Sequence, residues 1–358
     1  MFAASLLFLT GCADDETDRY LGNWIKTSNY YPGTQRGGAV CFKIGEEVYV
    51  GTGYNFNETD YRSRFRDFYK FDGKAWTQIP SMPNDTTGGK ASAGTRNAAV
   101  AFSINGKGYV GLGYDGTKNL KDFWCYDPQT QTWTQVADFP RRDGIEDYQK
   151  PEERRYAVAF VIDNVAYVGG GEDIDGNILA DFYKFDGTTW TPIANIGVPR
   201  AAASAFVYDG KGYVVGGRYG SCVYEFQRYD PVTDTWESLR HAADRTDYSY
   251  DDEYTLAAYG CSVFELNGKF YLATGGVSGT GVATWEYHPD SDFWVQRTNF
   301  EGSTRGFAVG FSLTFDDGLG GGPRQHGYIA TGQSGVSGSS YYTDMWEFMP
   351  YQEYEDKD

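Results

Sequence analysis

The sequence is poor in histidine: His241, His288 and His326 are the only three in 358 residues. Three imidazoles scattered along a chain are weak material for a zinc site or a Ser-His-Asp arrangement. Positive charge is also short. Thirty-one Lys and Arg against 49 Asp and Glu leave a net charge of −18, which argues against a phosphate-backbone partner, because nucleic-acid binders concentrate cations. Long apolar runs are missing, and the one apolar stretch near the start, residues 2–9, is too short to span a bilayer. No phosphate-cradling loop precedes a helical pattern. Cysteine numbers only five. Cys41, Cys125, Cys222 and Cys261 fall in apolar strand patterns without framework spacing, so they read as buried free thiols even where an oxidising compartment would permit disulfides.

What is abundant is equally directive. Forty-six glycines, 30 tyrosines and 9 tryptophans accompany an apolar share of 41%. Many Gly and aromatics with few long apolar runs indicate short strands and tight turns.

One motif recurs six times: YVGTG from Tyr49, YVGLG from Tyr109, YVGGG from Tyr167, YVVGG from Tyr213, YLATG from Tyr271 and YIATG from Tyr328. Seven residues upstream of the first five tyrosines stand Phe42, Phe102, Phe160, Phe206 and Phe264. Hairpin-turn sequences such as INGK and YDGK lie between. A third strand follows in DFYKFD, DFWCYD, FQRYD, TWEYHP and DMWEFMP. A fourth is marked by Trp76, Trp133, Trp190, Trp236 and Trp294. The third-to-fourth turn has two lengths: four residues separate Phe71 from Trp76, and six separate Tyr126 from Trp133. A difference of two preserves the alternation of faces, so the Trp points the same way in both. The sixth copy ends without a Trp, whereas NWIKTS, around Trp24, precedes the first copy. Pairing the two ends gives an all-β fold: a six-bladed β-propeller of four-stranded blades over residues 23–350, closed by the N-terminal strand. Closure removes the open edges of a linear array.

This pattern resembles the kelch repeat, with an apolar strand, a glycine pair or its remnant, and a spaced aromatic and Trp. VVGGR and ATGGV keep the glycine pair; VGTGY, VGLGY and ATGQS depart from it. The resemblance covers nearly the whole chain after residue 23. Galactose oxidase enzymes share this propeller but need His and Tyr ligands for copper, and no such constellation stands here. No cofactor and no metal are expected. EDIDGN places Asp173, Asp175 and Asn177 like the start of a calcium loop, but the closing Glu is absent and Asp-Gly-Asn is ordinary turn chemistry.

The N-terminus carries a second resemblance. Residues 2–9 look like the apolar core of a secretory signal, and LTGC resembles a bacterial lipobox, although a positive leading region is missing. This implies a signal over residues 1–11, lipid on the thiol of Cys12, an acidic tether over residues 12–22 and an exported protein anchored in the outer membrane. An unprocessed apolar arm is the alternative. Residues 351–358 form an acidic tail.

Two sets of residues are candidates for a site. Arg36, Arg96, Arg154, Arg200 and Arg305 each precede the strand-one aromatic by six residues, with Ala258 in the fifth repeat. There the chain enters the innermost strand, so the arginines either ring the channel mouth and hold a carboxylate or bond backbone carbonyls or an Asp of the adjacent blade. The residues after the motif glycine are Tyr54, Tyr114, Glu172, Arg218, Gly276 and Gln333. They differ between repeats, as ligand-facing residues do. Long inter-blade loops should bring Tyr148, Tyr248 and Tyr250 to the same face, with Tyr30 and Tyr31 from NYYPG. DDGLGGGPRQ, in the first hairpin of the sixth repeat, belongs on the opposite face.

The first functional reading is a monomeric, lipid-anchored binding module for a glycan, an acidic sugar, a peptide or an envelope protein, touching the membrane only through its anchor. The second is an enzyme. Kelch propellers of this blade number include bacterial sialic acid mutarotases, and Glu172 is the one acidic residue among the post-glycine positions able to serve as general acid or base. The third is a structural subunit of an envelope complex.

Overall fold

The protein is described by a computed structural model over residues 21–57, 63–83, 94–140, 152–240, 259–275, 282–318, 320–334, 339–350 and 352–355. Cys12, Tyr148, Tyr248, Tyr250, Ala258, Gly276 and His241 lie outside these residues, as do the signal, most of the tether and the end of the tail. The described residues form six four-stranded antiparallel sheets and one two-stranded ribbon, with no α-helix among them.

Each sheet is one copy of the repeat. In blade one, Val40–Ile44, Glu47–Gly51, Phe68–Phe71 and Trp76–Ile79 follow one another from the axis outward. The inner hairpin of blade two turns through Asn105 and Gly106 at φ +52° and +71°. Both central residues of a two-residue type I′ turn need positive φ, which Asn tolerates and glycine adopts freely. The two outer-turn lengths reach one register. Phe71 lies opposite Trp76, and Tyr126 lies opposite Trp133.

Blade six contains Val309–Phe315, Arg324–Ala330 and Asp344–Met349, and Asn23–Tyr30 supplies its outer strand. Trp24 lies opposite Phe348, the place the outer Trp holds in every other blade. The DDGLGGGPRQ hairpin lengthens the inner strands on the face opposite the post-glycine turns. There Phe315 meets Gly73 of blade one, and Glu46 accepts a bond from the Thr314 N–H at 2.6 Å. Blades six and one are thereby tied at their inner turns as well as through their shared core.

The core lies between blades. One cluster joins Val100, Phe102 and Phe123 of blade two to Val168, Tyr183 and Phe185 of blade three. The cluster joining Phe311 and Tyr328 of blade six to Val50 and Phe71 of blade one is built alike. The outer tryptophans differ from simple wedge-filling: Trp24 and Trp294 are buried, whereas Trp76, Trp133, Trp190 and Trp236 are half-buried. Three of the latter reach back by hydrogen bond, Trp133 to Pro80 O, Trp190 to Ala137 O and Trp236 to Ala194 O. Each acceptor sits just past the outer strand of the preceding blade, so the indole end that cannot be buried is satisfied there.

The axis is closed by backbone. Gly38, Ala98, Tyr156, Ala202, Gly260 and Phe307 occupy one position in successive blades, and all have left-handed φ between 53° and 65°. Each N–H donates to the carbonyl of its counterpart in the preceding blade, at 2.8–3.2 Å, and the sixth bond returns to the first. This belt lies where the chain enters each inner strand, beneath the post-glycine turns.

Candidate functional site

The five repeated arginines do not form a cationic mouth. Arg36, Arg96, Arg154, Arg200 and Arg305 are at most 2% exposed. Arg36 grips both oxygens of Asp67 at 2.6 and 2.9 Å. Arg96 grips Asp122, Arg154 grips Asp181 and Arg305 grips Asp344 in the same forked geometry. Asp67, Asp122 and Asp181 stand one residue before the third strand of the same blade and Asp344 opens it. The expected ring of carboxylate-binding guanidiniums is therefore corrected to a set of internal clips, the other expectation, with the Asp in the same blade rather than the adjacent one. Burial pushes the Asp122 carboxyl up, yet Arg96 and the Trp124 indole N–H bring it on balance below its ordinary range; Asp344 is held low in the same way by Arg305 and Trp346.

The clips also hold the turns that build the mouth. Nη1 of the five arginines donates to Thr52 O, Leu112 O, Gly170 O, Gly216 O and Thr331 O at 2.9–3.3 Å. Each acceptor residue has left-handed φ and stands two before a post-glycine residue. Arg200 has no Asp and donates to the Glu225 carbonyl instead at 2.7 Å. Burial lowers its guanidinium to about 10, against the pull of Glu225. In blade five the Arg and Asp positions hold Ala258 and Ala283. That blade buries Glu286 elsewhere, with the Tyr271 hydroxyl, Arg297 Nε and Lys269 Nζ 2.7–2.8 Å away. Burial works against this carboxylate, but its donors hold it down at about 2.

The post-glycine residues do gather on one face. Tyr54, Tyr114, Glu172, Arg218 and Gln333 bridge to Gly37, Asn97, Arg155, Ala201 and Gly306, the residues following the clip arginines. Tyr54 and Gln333 are buried; Tyr114 and Arg218 are half-buried. Glu172 accepts from Arg155 Nη2 at 2.8 Å through one oxygen and from Arg218 Nη2 through the other. Tyr114 lies between two guanidiniums, 4.8 Å from that of Arg64 and 5.2 Å from that of Arg155. Arg64 donates from Nε to Asn97 Oδ1 at 2.8 Å and has Asp115 near it without an ion pair among the described residues. Burial lowers its guanidinium from the ordinary arginine value.

Asp173, beside Glu172, accepts from the N–H groups of Asp175 and Asn177 and from the Asn177 amide. That is an Asx turn closing its own loop. Tyr31 does not reach the mouth: it is buried against Tyr69, Trp76 and Arg36. Tyr30 is 52% exposed.

Beneath the mouth lies an axial cavity of about 140 Å³, walled by Ala39, Ala99, Ala157, Ala203, Cys261 and Ala308. Two belt residues, Tyr156 and Phe307, are bulky, and their rings meet at 5.6 Å. A left-handed backbone costs an L-residue on the order of 1–2 kcal/mol. The Arg155 and Arg218 guanidiniums stand 5.8 and 5.7 Å from the Tyr156 ring. Burial pushes the Tyr156 hydroxyl up, against the pull of Arg155, Arg218 and Arg64.

Sequence reasoning thus nominated Tyr54, Tyr114, Glu172, Arg218 and Gln333 and missed Arg64, Arg155, Tyr156 and Phe307. Arg155 was hidden in the ERRY doublet behind Arg154.

The chain matches two family descriptions: the KLHDC2/KLHL20/DRC7 Kelch-repeats domain over residues 16–191 and the Kelch motif over residues 199–241. It is 23% identical over 266 residues to Kelch-like protein terF of Aspergillus terreus, an alignment covering 72% of this chain and 52% of that protein. It is 31% identical over 130 residues to Kelch-like protein 15 of Danio rerio, covering 34% of this chain and 19% of that protein. The chain therefore spans about half the length of the first relative and less of the second. Among solved structures, one titled Structure of YjhT superposes with a TM-score of 0.63 at 16% identity, covering 88% of this chain and 95% of that one. That likeness is one of fold.

Proposed function

We propose that this chain, a kelch-repeat β-propeller, is a binding module whose channel mouth receives an anionic ligand such as an acidic sugar or a peptide carboxylate. One observation carries the reading. Three guanidiniums, of Arg64, Arg155 and Arg218, converge around the mouth, where Glu172 is the one carboxylate paired with any of them among the described residues and Asp115 lies near Arg64, on a chain of net charge −18. A local excess of cations on an acidic protein focuses anions to that place. Arg64 presents a planar fork suited to a carboxylate.

Calorimetric titration with N-acetylneuraminate, with neutral N-acetylmannosamine as control, tests it. The acid is expected to bind and the neutral sugar not. Arg64→Ala should weaken the acid about 10-fold or more at low salt, the worth of one charge-assisted bond. Absence of saturable binding by carboxylate sugars and by acidic peptides alike would end this reading.

A second reading is favoured by the place of Glu172. A carboxylate held between two of the arginines that would receive an acidic sugar can act as general base at its anomeric centre, as in a mutarotase. NMR exchange between the anomers of N-acetylneuraminate tests it: acceleration by the protein and its loss in Glu172→Gln support the enzyme, and an unchanged rate at high protein concentration rejects it.

The proposal extends to the cell envelope through Cys12. Labelling with a fatty-acid analogue, abolished in Cys12→Ser, is the expected result; an unlabelled wild-type chain would remove the anchor.

A further inference from the structure

We infer that Tyr156 and Phe307 form an aromatic floor at the channel mouth, so that the site takes a ring-bearing anion: an apolar ring seats against the two tilted rings while the arginines hold the charge. The inference rests on the reading above for the charge and adds two residues that reading does not use.

The argument begins with the belt. Six equivalent residues carry the same left-handed backbone, and four of them are Gly38, Ala98, Ala202 and Gly260. Those choices fit the conformation, since the strain falls on the Cβ and what lies beyond it. Tyr156 at φ +57° and Phe307 at +54° are bulky residues in a place that disfavours them. Both rings are only half-buried, so full core burial does not repay the strain. The surroundings are fitted to the rings: a Cβ on Gly260 would stand 2.8 Å from Phe307 Cδ1. Backbone strain retained without a packing reward gathers at functional places.

The second observation is what surrounds the rings. Tyr259 lies 6.2 Å from Phe307, and the guanidiniums of Arg155 and Arg218 flank Tyr156. An apolar aromatic pair whose ring planes are tilted by 48°, beneath a cationic wall, is complementary to a ligand with an apolar ring that seats between them and one negative group.

Fluorescence titration with 8-anilinonaphthalene-1-sulfonate, an aryl sulfonate, tests this on the whole folded protein. Saturable one-site binding is expected. Tyr156→Gly and Phe307→Gly, the residue two sister blades use, should each weaken it at least about 10-fold, the loss of one stacked ring. That loss should persist in high salt. Tyr156→Phe should bind as the wild type does. Arg64→Ala should weaken binding in low salt only, because screening removes the charge contribution. Val232→Ser, at a 91% exposed apolar residue in an outer turn of blade four on the opposite face, should change nothing. The melting temperature of the glycine variants should stay within about 5 °C of wild type, since relief of left-handed strain offsets the lost contacts.

The inference is overturned if the wild type shows no saturable binding, if the glycine variants bind as the wild type does, if Tyr156→Phe loses binding, or if the glycine variants melt more than about 10 °C lower, which would make the rings structural. Loss of binding in Arg64→Ala alone would leave the anion reading standing without the floor. Loss in the glycine variants alone would leave the floor without the anion reading.

Discussion

Trp24 and Phe348 face each other across the join between the chain's two ends, Cα partners in one antiparallel ladder with ring centroids 4.9 Å apart. The Trp24 indole also packs edge-on to Phe264 and Phe300 and donates to Thr284 Oγ1 of blade five at 3.1 Å. One side chain therefore closes the ring and binds it to the preceding blade. Trp24→Ala should lose about 3–5 kcal/mol, as large buried aromatics do. Urea unfolding followed by fluorescence reads the loss. A midpoint within error of wild type would mean that the N-terminal strand does not seal the propeller.

The Arg–Asp clips make a second prediction. Removing one partner of a buried pair leaves a charge without compensation and costs about 3–5 kcal/mol, while removing both costs less than the sum. Arg96→Ala and Asp122→Ala should each destabilise strongly, and the double variant should fall well short of additivity. Blade five already carries the doubly substituted form, with Ala258 and Ala283. Additive losses in chemical denaturation would show that the pair is not a clip.

That coincidence of alanines shows how much of the site was legible. The fold was readable because its signal repeats: period, register and the displaced Trp24 each appear without knowledge of contacts. Glu172 and Arg218 were readable as the variable residues after a fixed glycine. The clip was legible as one of two alternatives, but its acid was expected in the adjacent blade, because in sequence Asp67 lies two strands and a loop beyond Arg36. The joint absence at positions 258 and 283 is the sequence signal that pairs each Arg with the Asp of its own blade. Arg64 lies beyond the repeat, in the segment between the second and third strands, where no column exists to compare. Tyr156 and Phe307 stand out only once the column Gly38, Ala98, Tyr156, Ala202, Gly260, Phe307 is known to share one backbone conformation.

Acid should loosen the propeller through named carboxylates. Asp122, Asp344 and Glu286 have folded-state values below their ordinary ones, Glu286 at about 2. A depressed folded value means that the unfolded chain binds protons more readily, so stability is complete above the ordinary carboxylate range and is lost as pH falls through the folded values. The melting temperature should be level above about pH 5 and fall from there toward pH 2. Asp344→Asn should lower the plateau and flatten the descent. A descent of unchanged steepness in that variant would remove Asp344 from the set.

Gly260 and Phe307 should be coupled through space. Gly260 sits at φ +65°, and a Cβ added there would come within 2.8 Å of the Phe307 ring. Alanine is not excluded by the backbone alone, because Ala98 and Ala202 hold the same conformation at φ +53° and +55°. What distinguishes position 260 is the ring donated by the next blade. Gly260→Ala in the wild type should therefore cost about 2 kcal/mol or more, combining left-handed strain with displacement of the ring. In the Phe307→Gly background only the strain should remain, about 1 kcal/mol. A thermal-denaturation cycle over the four proteins measures the difference. Equal losses in both backgrounds would mean that the ring is not held over the belt, and an aromatic that is free to swing away could not serve as a fixed floor for anything bound at the mouth.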